Sequence, residues 1–461
     1  MRSSGLVCAG VAALVSFCLG CPTPGPFLRD IGPNKPASGD TSSAGQVIRL
    51  AGGGDVQYAV TLNAGVWKRV SGAKWMQLAS SPRRAITIAI EGKNHNHAVV
   101  GERNGDSVDM HLNQAGIWES GDGGTTWTYA LDPLTIQGCA SQAIADIAFT
   151  AHAHIVAATG CGVAHRTPAG QWSFPDLPGA QGHATALAIA GARVWARTAS
   201  GQIFLSTDDG ATFAGAPIDP TTPLPASLLD MGPRPTSNWT QGLSFSIAAI
   251  GDEVYMPSRN LPGAGANELG LVTYNLTTTK VRSDLLGVND GRGDGGWVFV
   301  RTGTLASQKD VILFSNADYL YSLTKDTHTA GASKWKLQML AACASTGSLG
   351  LCPAGPPSGF GPRMHVDMWD VLINTGSVYG EMFIASDGGV YHYPSASGSN
   401  WVDYVDGMHT LHAHTLDIIL GTSGVVGIAT SDNDAWYGTL AGTNWKSPDC
   451  CGRVVGSRSR R

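Results

Sequence analysis

Eight residues, Ser120-Gly121-Asp122-Gly123-Gly124-Thr125-Thr126-Trp127, restrict the possible folds of this chain more than any other stretch. Ile117 and Trp118 before them supply the β-branched and aromatic surface of a strand, and Thr126 and Trp127 open a second strand. Only a tight hairpin fits between. Asp122 can accept backbone N–H groups inside such a turn, and the glycines can take positive φ without strain. Trp127 then leaves the turn in a fixed direction and is expected to bury its ring against the next unit. The same spacing, Ser-x-Asp-x-Gly-x-Thr-aromatic, recurs at Ser206, Asp208, Gly210, Thr212 and Phe213. Ser120, Asp122, Gly124 and Trp127, with Ser206, Asp208, Gly210 and Phe213, are therefore read as structural turn residues.

Weaker copies can be aligned on the apolar residue that opens the first strand: Val66, Ile117, Val163, Ile203, Val272, Tyr319, Val390 and Ala435. Most are spaced by roughly 40–51 residues, the length of one four-stranded repeat. Two longer gaps hold proline-rich loops at 217–239 and 349–363. Each unit has an upstream apolar run, such as 85–90, 143–149 and 297–300, which suits an inner strand buried on both faces. An aromatic often closes the unit, as at Trp75, Trp127, Trp172, Phe213, Trp335, Trp401 and Trp445. No amphipathic helical period of useful length stands out. The expected fold is all-β: a single β-propeller of seven or eight four-stranded blades, with eight units counted.

The repeated turn is the Asp-box, and the chain resembles the BNR/Asp-box propeller families, which include sialidases, xyloglucanase-like glycosidases and sortilin-type receptors. A segment from Met364 to Trp436 carries a further resemblance. It contains His365, Asp367, Asp387, Gly388, Gly389, Asp432 and Asn433, matching His-x-Asp-x-His, Asn-Asp-Gly-Gly-Val-Tyr and Gln-Asp-Asn-Gly of sortilin-type and xyloglucanase-like propellers. Trp369 stands where the second histidine is expected, and Ser386, Ser431 and Asp434 also depart from the pattern. The resemblance implies a propeller that binds a glycan or protein ligand. Its alternative is a glycoside hydrolase of the xyloglucanase-like or sialidase-like type. The xyloglucanase acids cannot be carried over, because their flanking motifs are not present.

The first 20 residues read as an export signal: Arg2 is followed by a small and apolar stretch too short for a comfortable membrane span. The stretch ends Cys18-Leu19-Gly20-Cys21, which resembles a bacterial lipobox with Cys18 in place of the usual leucine. Cys21 is the expected lipidation site, and an ordinary signal peptide cut nearby is the alternative. A Pro/Gly/Ser-rich tether follows over 21–44, then the propeller over 45–452 and a basic tail over 453–461. The expected location is a bacterial outer membrane or cell surface, alternatively periplasmic or secreted, with the lipid anchor as the sole membrane contact. Either the strand near 46–50 closes the ring or a further region completes it.

Six cysteines beyond Cys21 suit an oxidising compartment. Cys139–Cys161 across one blade and Cys343–Cys352 closing a Gly/Ser loop are the favoured pairings among several. A net charge of −5 and the lack of basic–aromatic interleaving give no reason to expect nucleic acid. A monomer without a cofactor is expected.

Catalytic candidates are Asp367, Asp387 and His365. His365 and Asp367 are two residues apart, so on a strand they share a face and could hold a cation or move a proton. With His412 and His414 they form a candidate cation set. Two other His-x-His pairs, His95/His97 and His152/His154, fall in the hairpins joining first and second strands, where any polar residue fits. A glycosidase needs two carboxylates about 5–10 Å apart across a cleft. Asp290, Asp294, Asp367, Asp370 and Asp387 are available for that role, and nothing in the sequence pairs them.

Overall fold

The computed structural model describes residues 46–61, 65–71, 73–102, 115–136, 139, 143–179, 183–198, 202–215, 246–258, 268–289, 299–304, 310–315, 319–325, 335–342, 368–374, 381–386, 389–393, 402–403, 413–419, 425–430 and 435–439. They form seven four-stranded antiparallel sheets and one three-stranded sheet, each a meander in chain order. The four-stranded sheets span 47–77, 85–131, 144–173, 184–215, 248–289, 299–342 and 368–403. Their inner strands are Val47–Gly53, Ala85–Glu91, Ile144–Phe149, Ala184–Ala190, Ala248–Ile250, Phe299–Thr304 and Met368–Asn374. Each inner strand packs on the next, and the seventh packs on the first. The molecule is therefore a closed seven-bladed β-propeller.

The eight aligned repeat starts all fall in third strands, from Gly65–Val70 to Ala435–Thr439. The count of eight is nevertheless corrected to seven blades. The eighth unit is the three-stranded sheet Ala413–Ile419, Val425–Thr430 and Ala435–Thr439, and the inner-strand ring closes without it. The ring closes in neither of the ways expected. Val47–Gly53 is the inner strand of a complete first blade rather than a strand lent to the last one. Side chains at the seam do the closing instead.

The core lies between blades. Each apolar cluster joins neighbouring sheets, as where Trp195 and Ile203 of the fourth blade meet Val254 and Val272 of the fifth. Trp195 and Tyr274 meet edge to face there at 5.6 Å. The seam cluster sets Trp369, Phe383 and Val390 of the seventh blade against Val47, Ile48 and Trp67 of the first. Trp369 is thus core, which explains an indole where the resembled pattern has histidine. The inner runs are apolar on both faces because a blade is sandwiched between two others.

The two complete turns are built alike. Ser120 Oγ donates to Asp122 Oδ1 at 2.9 Å and accepts Gly124 N at 2.8 Å. Asp122 also accepts Thr126 N at 2.9 Å and Thr126 Oγ1 at 2.6 Å. Ser206, Asp208, Gly210 and Thr212 repeat these bonds at 2.7, 2.8, 2.9 and 2.7 Å. Gly124 and Gly210 both have φ of +91°, and a Cβ at either would run into Leu78 or Val156 of the preceding blade. The bonds to Thr126 hold the exposed Asp122 carboxyl down at about 2. The expected direction of Trp127 is corrected: its ring packs on the cluster that joins the first, second and seventh blades, on the side of the preceding unit, where Gly124 of the same turn abuts Leu78. The turn lies over the groove between blades, so its outgoing aromatic points backward.

Candidate axial site

Five of the seven inner strands share an irregularity at their second residue. The pairing register slips at Ile48, Ile86, Ala145, Thr185 and Trp369. Such bulges bend a strand and re-aim the side chain that follows. The following residues are Arg49, Thr87, Asp146, Ala186 and Asp370, so three of the five positions carry charge inside otherwise apolar runs.

These charges meet on the propeller axis. Arg49 belongs to the first blade, whose neighbours are the second and seventh. Its guanidinium nonetheless feels Asp146 of the third blade and Arg301 of the sixth, as well as Asp370 of the seventh. In direct contact, Arg49 and Arg301 meet at Asp370, at 4.0 and 2.8 Å, and Asp146 acts on Arg49 as a charge. Burial first, and then Arg301, push the Arg49 pKa below the usual arginine range, against the pull of Asp370 and Asp146.

The carboxylates are engaged. Arg301 Nε donates to Asp370 Oδ1 at 2.8 Å, and Leu50 N donates to Oδ2 at 3.1 Å. Arg49 Nη1 stands 4.0 Å from Oδ1. Asp146 Oδ2 accepts Leu187 N at 3.0 Å, and its Oδ1 accepts Ile147 N at 3.0 Å and Thr87 Oγ1 at 3.5 Å. Ser246 Oγ accepts Val300 N at 2.8 Å in the same way. Asp146, Ser246 and Asp370 thus each staple the inner strand of the next blade. At the seam, Asn374 adds a reciprocal pair with Gly54, accepting its N–H at 3.0 Å and donating to its carbonyl at 2.9 Å.

A second set of polar staples lies at the hairpin ends of the inner strands. His97 Nδ1 is 2.7 Å from Glu91, and its Nε2 is 2.7 Å from Glu119, which also accepts Arg166 Nη1 at 2.7 Å. Only the doubly protonated imidazolium can donate to both glutamates. His152 Nδ1 is 2.9 Å from Asp209, and His154 Nδ1 is 2.8 Å from His165 Nε2. Arg193 of the fourth blade pairs with Asp252 of the fifth. His97 and His154 tie strands within their own blades, whereas His152–Asp209, Arg166–Glu119 and Arg193–Asp252 cross from one blade to the next.

The His97 bridge gives a pH prediction. The bond to Glu119 raises the His97 pKa above its usual 6.5, so this contribution is complete below that value and is lost as pH rises through the raised one. The same bond lowers Glu119 below its usual 4.5, so its contribution is present above 4.5 and is lost as pH falls through the lowered value. Both hold between 4.5 and 6.5. His97→Gln is expected to cost about 1–2 kcal/mol near pH 6 and to flatten the fall in melting temperature above pH 6.5. A variant whose melting temperature tracks the wild type between pH 6 and 8 would contradict this.

His365, Asp367, Asp387, His412, Cys21, Cys343 and Cys352 lie outside the described residues, as do Asp290, Asp294, Asp432 and Asn433. His414 is in strand Ala413–Ile419, and its side chain is also outside them. Among the described residues no three metal-ligating side chains converge. Cys139 and Cys161 are joined by a disulfide. Of the carboxylates considered for catalysis, Asp370 alone is placed, and it is a seam staple. Arg49, Asp146 and Arg301 were not singled out from sequence. The signal available was a charge at one register position within apolar inner runs.

Fold and axial arrangement together define the class, a seven-bladed β-propeller with charged staples around its channel. Among solved structures, the chain is similar to an ancestral GH74 enzyme at 14% identity and TM-score 0.57, over 88% of this chain and 55% of that one. It is also similar to the GH74 enzyme of Niastella koreensis at 15% identity and TM-score 0.50, over 90% of this chain and 68% of that one. YCF48 bound to D1 peptide aligns at 12% identity and TM-score 0.45, over 77% of this chain and 94% of that one. No family model matches the chain, and no curated protein matches it in sequence. At these identities the likeness is one of fold. The chain spans little more than half the length of the first of these enzymes.

Proposed function

We propose that this is an exported Asp-box propeller, lipid-anchored through Cys21, that binds a glycan or protein ligand across the mouth of its channel without catalysis. The observation that carries this reading is the state of the axial carboxylates. Asp370 and Asp146 are both committed to bonds from neighbouring blades, so among the described residues they do not form a free acid–base pair across the channel. A propeller that uses its axial charges to lock blades together keeps a rigid mouth, and rigid concave surfaces suit recognition.

The test is a paired screen. Immobilised glycans and surface proteins are probed for retention of the purified protein, and the same glycans are followed for product release. Retention without product is the expected result. Product release that disappears in folded Asp367→Asn or Asp387→Asn would replace binding with glycoside hydrolysis. Metabolic labelling with a radioactive fatty acid should mark the wild type and not Cys21→Ser; an unlabelled wild type would remove the anchor from the proposal.

A further inference from the structure

We propose that the channel holds an anion site in which Arg49 and Arg301 bind one carboxylate group. Arg49 is the reason. Its side chain is only 9% exposed, and among the described residues it makes no hydrogen bond, only the 4.0 Å approach to Asp370. Its guanidinium carries five N–H donors in a rigid fork. The carboxylates near it are turned to other donors: Asp370 accepts from Arg301 and Leu50 and is only an ion-pair partner of Arg49 at 4.0 Å, and Asp146 accepts from Leu187 and Ile147. The Arg49 donors are not fully enclosed, so they face the channel and a ligand there can reach them.

Geometry names the ligand chemistry. Arg301 uses Nε on Asp370 and Nη1 on the Val300 carbonyl at 3.1 Å, and its side chain is 24% exposed. Two guanidiniums from blades on opposite sides of the seam therefore converge beside a single carboxylate. A planar carboxylate can take two parallel bonds from one fork, which an ammonium partner or a spherical halide cannot match. This inference does not rest on the ligand-binding proposal above. A small organic acid would suffice to fill the site, and an acidic group on a larger ligand would use the same contacts.

Acetate is the probe. Thermal unfolding is followed at pH 7 as sodium acetate is added, with sodium chloride at equal ionic strength as the control. In the wild type, acetate is expected to raise the melting temperature by about 2 °C beyond chloride at saturation. Arg49→Met should abolish that excess while unfolding in chloride within about 2 °C of the wild type, because a buried charge without good hydrogen bonds can be replaced by an apolar chain of similar volume at little cost. Arg49→Lys keeps the charge and loses the fork, so it should weaken the apparent acetate affinity by about tenfold. Equal responses to acetate and chloride in the wild type, or an undiminished acetate excess in Arg49→Met or Arg49→Lys, would overturn the site and leave water as the occupant. Neither result touches the glycan and protein screen, which is scored separately.

Discussion

Asp370→Ala is expected to cost about 3–5 kcal/mol of stability, the largest effect of any single substitution considered. The ring has no shared strand at its seam, so contacts between residues 320 positions apart must hold the first blade to the seventh. Asp370 binds Leu50 N and neutralises Arg301, and it is only 4% exposed at its side chain. Removing it leaves the half-buried Arg301 and the buried Arg49 facing each other, with Asp146 as the remaining negative charge acting on Arg49. Asn374→Ala, which removes the two bonds to Gly54 and one to Glu381 but no charge, should cost about 1–3 kcal/mol. Urea unfolding gives both values. Hydrogen exchange should show the loss of protection concentrated in Val47–Gly53 and Met368–Asn374. A loss below about 1 kcal/mol for Asp370→Ala, or exchange that rises equally in every blade, would mean that apolar packing alone closes the ring.

The second large effect concerns the Cys139–Cys161 disulfide, which ties the segment after the second blade to the hairpin between the second and third strands of the third. It closes a loop with a sequence separation of 22. The entropy of that loop in the unfolded chain implies roughly 3 kcal/mol of stabilisation. Double replacement by alanine, or reduction before unfolding, should lower the urea midpoint and steepen the slope, because the unfolded chain without the cross-link exposes more surface. An unchanged midpoint in the reduced protein would show that the bond contributes nothing at equilibrium. Free thiols in protein recovered from an oxidising compartment would show that it does not form there.

The turns and the strand order were legible because their causes are local. The side chain of Asp122 bonds Ser120 and Thr126, and that of Asp208 bonds Ser206 and Thr212, so seven consecutive residues contain the whole device. Each aligned unit therefore marked a third strand correctly. The direction of Trp127 was misread because it depends on how one blade leans over the next, which no hairpin records. The axial residues were overlooked for the same reason. Arg49, Asp146, Arg301 and Asp370 are far apart in the chain and become neighbours only when the blades converge.

Amino-acid order alone settled the kind of element, the length of the repeat and the residues that make each bend, since hydrogen bonds within five residues and two-sided apolar runs act before any long-range contact forms. The number of blades, the seam between Leu50 and Asp370 and the meeting of charges in the channel were decided by packing. Eight repeats were written in the chain, but the seventh inner strand already comes to lie against the first, and its side chains find Leu50 and Gly54 there. Closure is a property of the angle between packed sheets, and that angle exists only in the assembled ring.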